Sequence, residues 1–478
     1  MSMIVMIGAL LVIILGSIVA ILYYLEKLIL AEIASKADRT SVYVYDLFEK
    51  QVLISQIRLV VVVLSGLVLF GGSIYLFIEG GPYMGFVTEW LNLIIRWGHA
   101  VAGIMWIGAS FYFIFLENNL NRTEGIRDEL AGNLWAIHGG GFYFLEKYEI
   151  APKQIPPKLH WFKYEAYFTW LSGFALLCVV YYMDATTFLI DTRVANLSSL
   201  QAIGIGIGSL VVGWVLYDGL CKSPIIKSEM LFAFAGLVFL IAFAYFYSRV
   251  FSGRGAYIHL GALIGTLMAW NVYFVIIPSQ KSLVRAAVTG QPLDPSLGKK
   301  ASERSLHNNY LTLPVIFIMI SNHFPSTFGH QYNWIILIVL TLASAGIKHY
   351  WNLRERGAKS GYVLPVSIVA LISLAIVTSP RIEKADPNAR TILFPEVQTI
   401  FVLRCTQCHS AKPTDPLWTT APNGVMYDTP EQIKKMTDKI MLRAVLTNSM
   451  PQGNKTNMTD EERETLRQWI LQGAKIVE

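Results

Sequence analysis

The sequence predicts an all-α protein: a polytopic bundle of about ten transmembrane helices followed by a small soluble domain. Apolar residues make up 54% of the chain and charged residues only 15%, whereas an ordinary soluble domain is about 25% charged. Ten apolar stretches approach the length of about 20 residues that a spanning helix needs. Beyond residue 378 the sequence becomes polar. The lipid bilayer is therefore the first predicted partner.

The predicted helices divide the chain into four regions. Residues 1–85 hold an N-terminal pair of helices, 86–378 hold eight more, 379–394 form a polar linker, and 395–478 form the soluble domain. The segment with Pro314 is the shortest, and proline is tolerated in a membrane helix when neighbours satisfy the freed carbonyl. The ten predicted spans are 3–25, 57–78, 86–116, 166–189, 200–217, 230–247, 257–277, 310–323, 334–350 and 362–378.

The distribution of basic residues predicts the orientation of these helices. The loops on one side of the predicted membrane contain 20 lysines and arginines, and those on the other side contain 3. Basic loops stay in the cytoplasm, so both the N-terminus and the C-terminal domain are predicted outside. The net charge of +6 is thus explained by topology, without a nucleic acid partner. No basic residue precedes the first apolar run, unlike a signal peptide, so we expect this helix to be retained.

The run CTQCH at residues 405–409 is the strongest local motif. C-x-x-C-H is the attachment sequence of haem c: Cys405 and Cys408 would bond the haem vinyl groups, and His409 would ligate the iron. The second axial ligand is predicted to be Met450, which lies in a loop and is followed by a proline; Met426, Met441 and Met458 are the alternatives. Histidine–methionine ligation raises the reduction potential. The soluble domain is therefore predicted to be a class I-like cytochrome c.

A second feature supports this interpretation of the C-terminal domain. Thr459 and Glu462 form a capping-box pattern ahead of an apolar stripe at Leu466, Trp469 and Ile470, and we expect that helix to pack on the one carrying CTQCH. A zinc or thiol redox site is the alternative, but the second ligand pair of a zinc site and the βαβ context of a redox motif are missing from the sequence.

The helix predicted at 86–116 carries a polar face. Ionisable groups inside a bilayer are costly and face the bundle interior, so Arg96 and His99, with Trp106, are predicted to act on a substrate or to carry electrons. The alternative is interhelical hydrogen bonding with close packing at Gly103. The positions that share this face by their spacing of three and four are Asn92, Arg96, His99, Gly103, Trp106 and Ser110.

Further histidines form two layers in the predicted bundle. His259 and His323 lie near the outer helix ends, and His307, followed by Asn308, lies near the inner ends. His307 and Asn308 are predicted catalytic residues, whereas a packed, hydrogen-bonded role is the alternative for each lone histidine. A non-covalent haem b held by two histidines, with His259 and His323 as candidates, stays open. Glycines 204, 206 and 208 indicate close packing, and glycines 139–141 lack the strand of a phosphate-binding loop.

The chain contains four distinctive segments: WLNLIIRWGH at 90–99, WIGASF at 106–111, WAIHGGGFY at 135–143 and HNNYLTLP at 307–314. Together these segments resemble the bacterial membrane-bound urate oxidase (urate hydroxylase) family. The order of motifs matches that family from about residue 86 to the end, and residues 1–85 are an addition to it. Members of the family have eight membrane helices fused to a C-terminal cytochrome c.

The resemblance implies a reaction and a location. Urate would be oxidised to 5-hydroxyisourate, with electrons passing to the fused haem c and then to another cytochrome c or a terminal oxidase. The protein would lie in a bacterial inner membrane with its cytochrome domain in the periplasm, and Arg96 is a plausible cradle for a flat anion. Two other classes remain: another membrane dehydrogenase, acting on a quinol or porphyrinogen, and a non-enzymatic electron-transfer cytochrome.

Overall fold

The computed structural model describes residues 17–32, 47, 50, 51, 53–55, 57, 58, 84–152, 154–156, 159–358, 361–379 and 389–476. Within these ranges the fold is mostly helical, as predicted. Helix α1 covers residues 17–32. The rest of the predicted span 3–25, and nearly all of 57–78, lie outside the described residues.

Five described helices are long and apolar enough to cross a membrane. This finding makes the chain a membrane protein, although it supports five spans rather than the predicted ten. A sixth apolar helix, Val363–Val377 (here α12), is shorter. The five are Met84–Asn119 (α2), Ser199–Lys222 (α5), Glu229–Val250 (α6), the continuous run Gly253–Asn271 (α7) to Ile277–Val288 (α8), and Asn333–Glu355 (α11).

Two predicted spans differ from the structure. The span 166–189 is interrupted: α3 (Tyr164–Leu177) passes into a π-helical turn, Cys178–Tyr182, and the short α4 (Ala185–Phe188) follows. The span 310–323 is the end of a longer helix, α9 (Pro295–Ser321), which contains Pro314 and is followed by the short α10 (Pro325–Phe328). Its first half is polar, so hydropathy alone located only its apolar end.

The all-α prediction is wrong at one hairpin. Strands β1 (Leu130–His138) and β2 (Gly141–Tyr148) pair antiparallel, with His138 opposite Gly141. The two turn glycines, Gly139 and Gly140, have φ of 59° and 79°, as a type I′ turn requires. A strand therefore does precede these glycines, contrary to the sequence prediction. It leads into another strand rather than into the helix that a phosphate-binding loop needs.

The chain divides into two compact units. One contains the hairpin and residues 276–302; the other contains residues 88–119, 162–275 and 303–478. The second unit has an apolar core contributed by α5, α6, α7 and the π turn, with the side chains of Leu260, Leu263 and Ile264 fully buried. Another π-helical turn, Val272–Ile276, follows α7. Such turns occur frequently at functional sites.

The C-terminal region has its own core. Helix α13 (Phe394–Arg404) packs against the closing helix α16 (Asp460–Leu471), and Val397, Phe401, Leu466 and Trp469 are buried between them. The predicted capping box is confirmed: the Thr459 hydroxyl accepts from the backbone N–H of the N3 residue, whose carboxylate accepts from the Thr459 N–H. Between these helices lie α14 (Pro430–Lys435), α15 (Thr437–Ile440) and a π turn, Met441–Leu446.

Candidate functional site

The polar face of α2 points into the protein. The six residues on that face are all half-buried, whereas Trp97, Ile104 and Met105 on the opposite side are 70%, 73% and 54% exposed. Helical periodicity thus correctly predicted which side of α2 is buried. The Trp106 side chain packs against the apolar core of the second unit.

Arg96 is oriented by its own helix. Its Nε and Nη2 both donate to the Asn92 side-chain oxygen, at 3.1 Å and 2.9 Å. The guanidinium lies close enough to Arg254 and Tyr181 to interact with both electrostatically. Asn92 is neutral, so this hydrogen bond leaves the positive charge of Arg96 uncompensated. We call Arg96, Arg254 and Tyr181 the arginine cluster.

The arginine cluster has unused hydrogen-bonding capacity. The Arg254 guanidinium lies over the rings of Tyr181 and Phe188, at 5.7 Å and 5.1 Å from their centroids. Tyr181 is only 3% exposed. Its hydroxyl and the Arg254 Nε have no hydrogen-bond partner of standard geometry in the described residues, but the Tyr181 hydroxyl and the Arg254 side chain lie close enough for a weak hydrogen bond to each other. Buried polar groups are normally paired, so the buried Arg254 Nε beside a second cation, Arg96, indicates a site for an anion.

His99 joins two helices. Its Nδ1 lies 3.1 Å from both the Thr169 carbonyl oxygen and the Ser172 hydroxyl of α3. A Cβ on Gly173 would lie 2.9 Å from the His99 ring, so the imidazole fills space that only glycine leaves open. These contacts give His99 a clear packing function beside the arginine cluster.

His259 has both ring nitrogens occupied. It is fully buried, and its Nδ1 donates to the Gly255 carbonyl at 2.9 Å. Its Nε2 must therefore accept, and the Tyr182 hydroxyl donates to it at 3.1 Å. His323, by contrast, is exposed. These two histidines do not fit a haem b ligand pair, because His259 offers no free nitrogen.

We expect Gly206→Ala to destabilise the protein. A Cβ at Gly206 would lie 2.7 Å from the Tyr182 hydroxyl and 2.8 Å from His259 Nε2, whereas Gly204 and Gly208 have nothing within 4 Å. Overpacking typically costs about 1–3 kcal/mol, so the thermal midpoint in detergent should fall for Gly206→Ala only. Gly204→Ala and Gly208→Ala are matched controls on the same helix. Equal midpoints in all three variants would contradict this packing.

A second polar network surrounds His307. Its Nδ1 lies 2.8 Å from the Tyr217 hydroxyl, and its ring stacks on Phe232 with centroids 4.6 Å apart. The Asn271 amide donates to the Tyr217 hydroxyl and to Asn308 Oδ1, both at 2.9 Å. Hydrogen bonds through Tyr217 and Asn271 thus connect the side chains of the two predicted residues, His307 and Asn308.

Arg304 completes this network. It is 2% exposed and donates to Asn271 Oδ1 at 3.0 Å and to Asp218 Oδ1 at 2.7 Å. Asn308 also donates to the Met268 carbonyl at 3.0 Å. The polar groups of this network therefore bond to one another or to the Met268 carbonyl, and Asp218 neutralises the charge of Arg304. Nothing in it resembles the unpaired groups of the arginine cluster.

Sequence reasoning missed most members of both groups. Arg254 falls in a predicted loop, and Tyr181 is one of many aromatic residues in an apolar helix. Asn271 carried a detectable signal, being a buried amide in the middle of the predicted span 257–277. Arg304 and Asp218 were assigned to loops because the spans 310–323 and 200–217 were predicted too short.

The CTQCH motif lies at the C-terminal end of α13. The Cys405 and Cys408 thiols are free. His409 Nδ1 donates to the Val425 carbonyl at 3.0 Å. This hydrogen bond leaves Nε2 available to a metal, as in metal-ligating histidines whose other ring nitrogen donates to a carbonyl. Burial lowers the pKa of His409, so the imidazole is neutral at pH 7, as ligation requires. The residues present fit a covalently attached haem.

The segment carrying Met450 is fixed by Arg463. Met450 is half-buried beside the same core as Cys405. Arg463, 4% exposed, donates to the Met450 carbonyl at 2.8 Å, to Asn454 Oδ1 at 3.2 Å and to the Ala444 carbonyl. Burial is the main cause that lowers the pKa of Arg463 to about 10, so it remains charged at pH 7. Met458 is 3% exposed, and its N–H and carbonyl both bond the Asn454 side chain.

Among the residues that the structure describes, no group of three or more His, Cys, Asp and Glu side chains could hold a metal ion. A haem iron takes only two axial ligands from the protein, so this result does not bear on the CTQCH motif.

Taken together, the apolar helices, the buried arginine cluster and the small C-terminal domain define a polytopic helical membrane protein with a candidate anion site. The family model "Urate oxidase N-terminal" matches residues 85–379, which is more than half of the chain. The protein belongs to this urate oxidase-related family, and membership indicates an oxidoreductase. No curated protein matches the chain, and no solved structure does.

Proposed function

We propose that this protein oxidises urate to 5-hydroxyisourate and passes the electrons to a haem c on the same chain. The reaction joins urate and water to give 5-hydroxyisourate, two protons and two electrons. The observation that carries the proposal is the combination of a urate oxidase-related match over 85–379 with the CTQCH motif at 405–409. A downstream cytochrome c or terminal oxidase would accept the electrons.

The arginine cluster is the proposed urate site. Urate is a flat monoanion at neutral pH, and guanidinium groups suit planar anions because they donate in a fixed plane. Arg96 and Arg254 supply charge, and the buried Tyr181 hydroxyl supplies a hydrogen bond. The His307 network is less suitable, because Arg304 is already neutralised by Asp218. In that network, binding would first have to break existing hydrogen bonds.

The proposed haem domain contributes three functions from its own residues. Cys405 and Cys408 would hold the haem, while His409 and Met450 would ligate its iron. A haem c supplies one-electron acceptance at a raised potential, so each urate requires two transfers. Arg463 maintains the position of the Met450 backbone.

We expect both termini to lie outside the bacterial inner membrane. The charge distribution predicts that a reporter active only in the periplasm works when fused after Thr378 and fails when fused near Gly290. Haem c attachment takes place on the same outer side. The reverse pattern of reporter activity would contradict the orientation and the proposed haem attachment together.

Urate-driven reduction of the haem tests the proposed function directly. Membranes carrying the protein, from cells lacking other urate-oxidising enzymes, are mixed with urate, and the α band of reduced haem c is followed. We expect rapid reduction and stoichiometric formation of 5-hydroxyisourate. Reduction by a quinol or porphyrinogen instead would identify another dehydrogenase. Reduction only by an external donor such as ascorbate would identify a non-enzymatic cytochrome.

A further inference from the structure

The loop that carries Met450 lies against the membrane part of the same compact unit. We call residues 447–454 the Met450 loop, and residues 185–193 with 325–330 the platform. A Cβ on Gly453 would lie 2.5 Å from the Ile190 carbonyl oxygen and 3.0 Å from that of Thr186. The Gly453 backbone therefore lies directly on the platform backbone, with no room for any side chain.

The platform has a reciprocal glycine. A Cβ on Gly329 would lie 2.6 Å from the Thr447 carbonyl oxygen and 2.8 Å from Thr447 Cβ. Arg193 adds a polar contact, donating to the Asn448 carbonyl at 3.2 Å while its guanidinium is held by Asp191 at 2.6 Å. Close backbone approach at two glycines, together with an anchored arginine, indicates a specific docking contact.

The platform is also connected to the arginine cluster. Phe188, whose ring lies under the Arg254 guanidinium, belongs to the platform. The Ser252 hydroxyl donates to the Phe188 carbonyl, and the Ser252 N–H donates to the Leu189 carbonyl, both at 2.8 Å. Arg254 follows Ser252 by two residues, so these hydrogen bonds hold the cluster and the platform together.

We propose that the platform is the docking site of the Met450 loop and the place where electrons enter the haem domain. The Phe188 ring contacts the Arg254 guanidinium, and the backbone of the same helix, α4, contacts Gly453, so α4 connects the arginine cluster to the Met450 loop. Each urate bound at the arginine cluster would give two electrons to the haem domain, one per transfer, and two protons to water. Urate as the donor rests on the proposed function. The loops of the platform belong to the set with few basic residues, which agrees with a haem domain outside.

The test compares two glycine variants of the full-length protein in membranes. Gly453→Ala would clash with the platform, whereas Gly473→Ala is a matched control in the same domain. Gly473 has φ of +95°, less favourable for alanine than the +57° of Gly453, and nothing within 4 Å of its Cβ position. Backbone strain alone would therefore affect the control at least as strongly.

Two readouts separate docking from urate chemistry. Hydrogen exchange of a peptide covering residues 183–197 should be faster in Gly453→Ala than in Gly473→Ala, because the platform backbone becomes accessible to solvent when the Met450 loop no longer contacts it. Urate-driven haem reduction should fall at least tenfold in Gly453→Ala only. The rate of reduction by ascorbate with a mediator should not change. If wild-type haem is not reduced by urate, the exchange experiment still decides whether the loop docks.

Gly329→Ala extends the test to the membrane side, outside the haem domain. It should reproduce faster exchange in both contact segments while the optical band of methionine-ligated haem stays intact. That result would show that the effect does not arise from loss of the Met450 ligand. Exchange and urate-driven rates equal to those of Gly473→Ala in both variants would refute the proposal.

Discussion

Replacement of both Cys405 and Cys408 by alanine is expected to abolish covalent haem and, with it, all urate-driven electron transfer. A denaturing gel stained for haem should show a band for the wild type and none for the double variant. The physical reason is that the two thioether bonds are the only covalent link that the motif can make. Any electron acceptance measured by haem absorbance should disappear together with the band.

The membrane cysteines provide a matched control. Cys178, half-buried in the π turn, lies outside the motif, so Cys178→Ala should retain the stained band at full intensity. A stained band in the Cys405/Cys408 double variant would show that haem is attached elsewhere.

In Met450→Ala, loss of the methionine-to-iron charge-transfer band is expected, and its persistence would point to Met458 or another ligand.

Replacement of Arg254 by glutamine is expected to reduce urate-driven haem reduction by about 10- to 150-fold. The estimate follows from a hydrogen bond to a charged group, worth about 1.5–3 kcal/mol, with a factor of ten for each 1.36 kcal/mol. Arg96→Gln should have a similar effect, because both cations interact with Tyr181. Initial rates at varied urate concentration are the measurement.

Arg249→Gln is the control for this experiment. Arg249 is exposed at the end of α6 and lies over the Tyr245 ring at 5.1 Å. The substitution therefore removes a cation that is close to Arg254 in sequence without touching the cluster. Its rate should stay within twofold of the wild type. If Arg254→Gln and Arg96→Gln both match Arg249→Gln at normal protein and haem levels, urate does not bind at the cluster. The His307 network would then be the next site to examine.

The two polar groups in the membrane domain were predicted with unequal success. Arg96, His99 and Trp106 could be placed on one buried face, because helical spacing alone decides which side chains share a face. Their partners could not be predicted. Tyr181 and Arg254 come from a π turn and a helix start that are distant in sequence, and only packing of α2 against those segments brings them to Arg96.

The histidines show the same limit in a different way. Sequence placed His307 beside Asn308, and the structure adds that Asn271 and Arg304 complete their hydrogen bonds. His259 and His323 share a predicted layer, yet one is fully buried and the other is exposed. Depth in the bilayer can be read from hydropathy, but direction around the helix depends on neighbours that hydropathy does not identify.

By itself, the sequence determined the membrane class, the buried face of α2, the capping of the closing helix and the motif for haem. These properties are local: composition, a period of 3.6 residues, a capping box and a five-residue motif each act over a few turns of chain. Only the tertiary structure decided which cations remain unpaired, which histidine nitrogens are free and where the Met450 loop lies. The physical reason is that hydrogen-bond satisfaction and close glycine contacts depend on atoms from segments that are far apart in sequence.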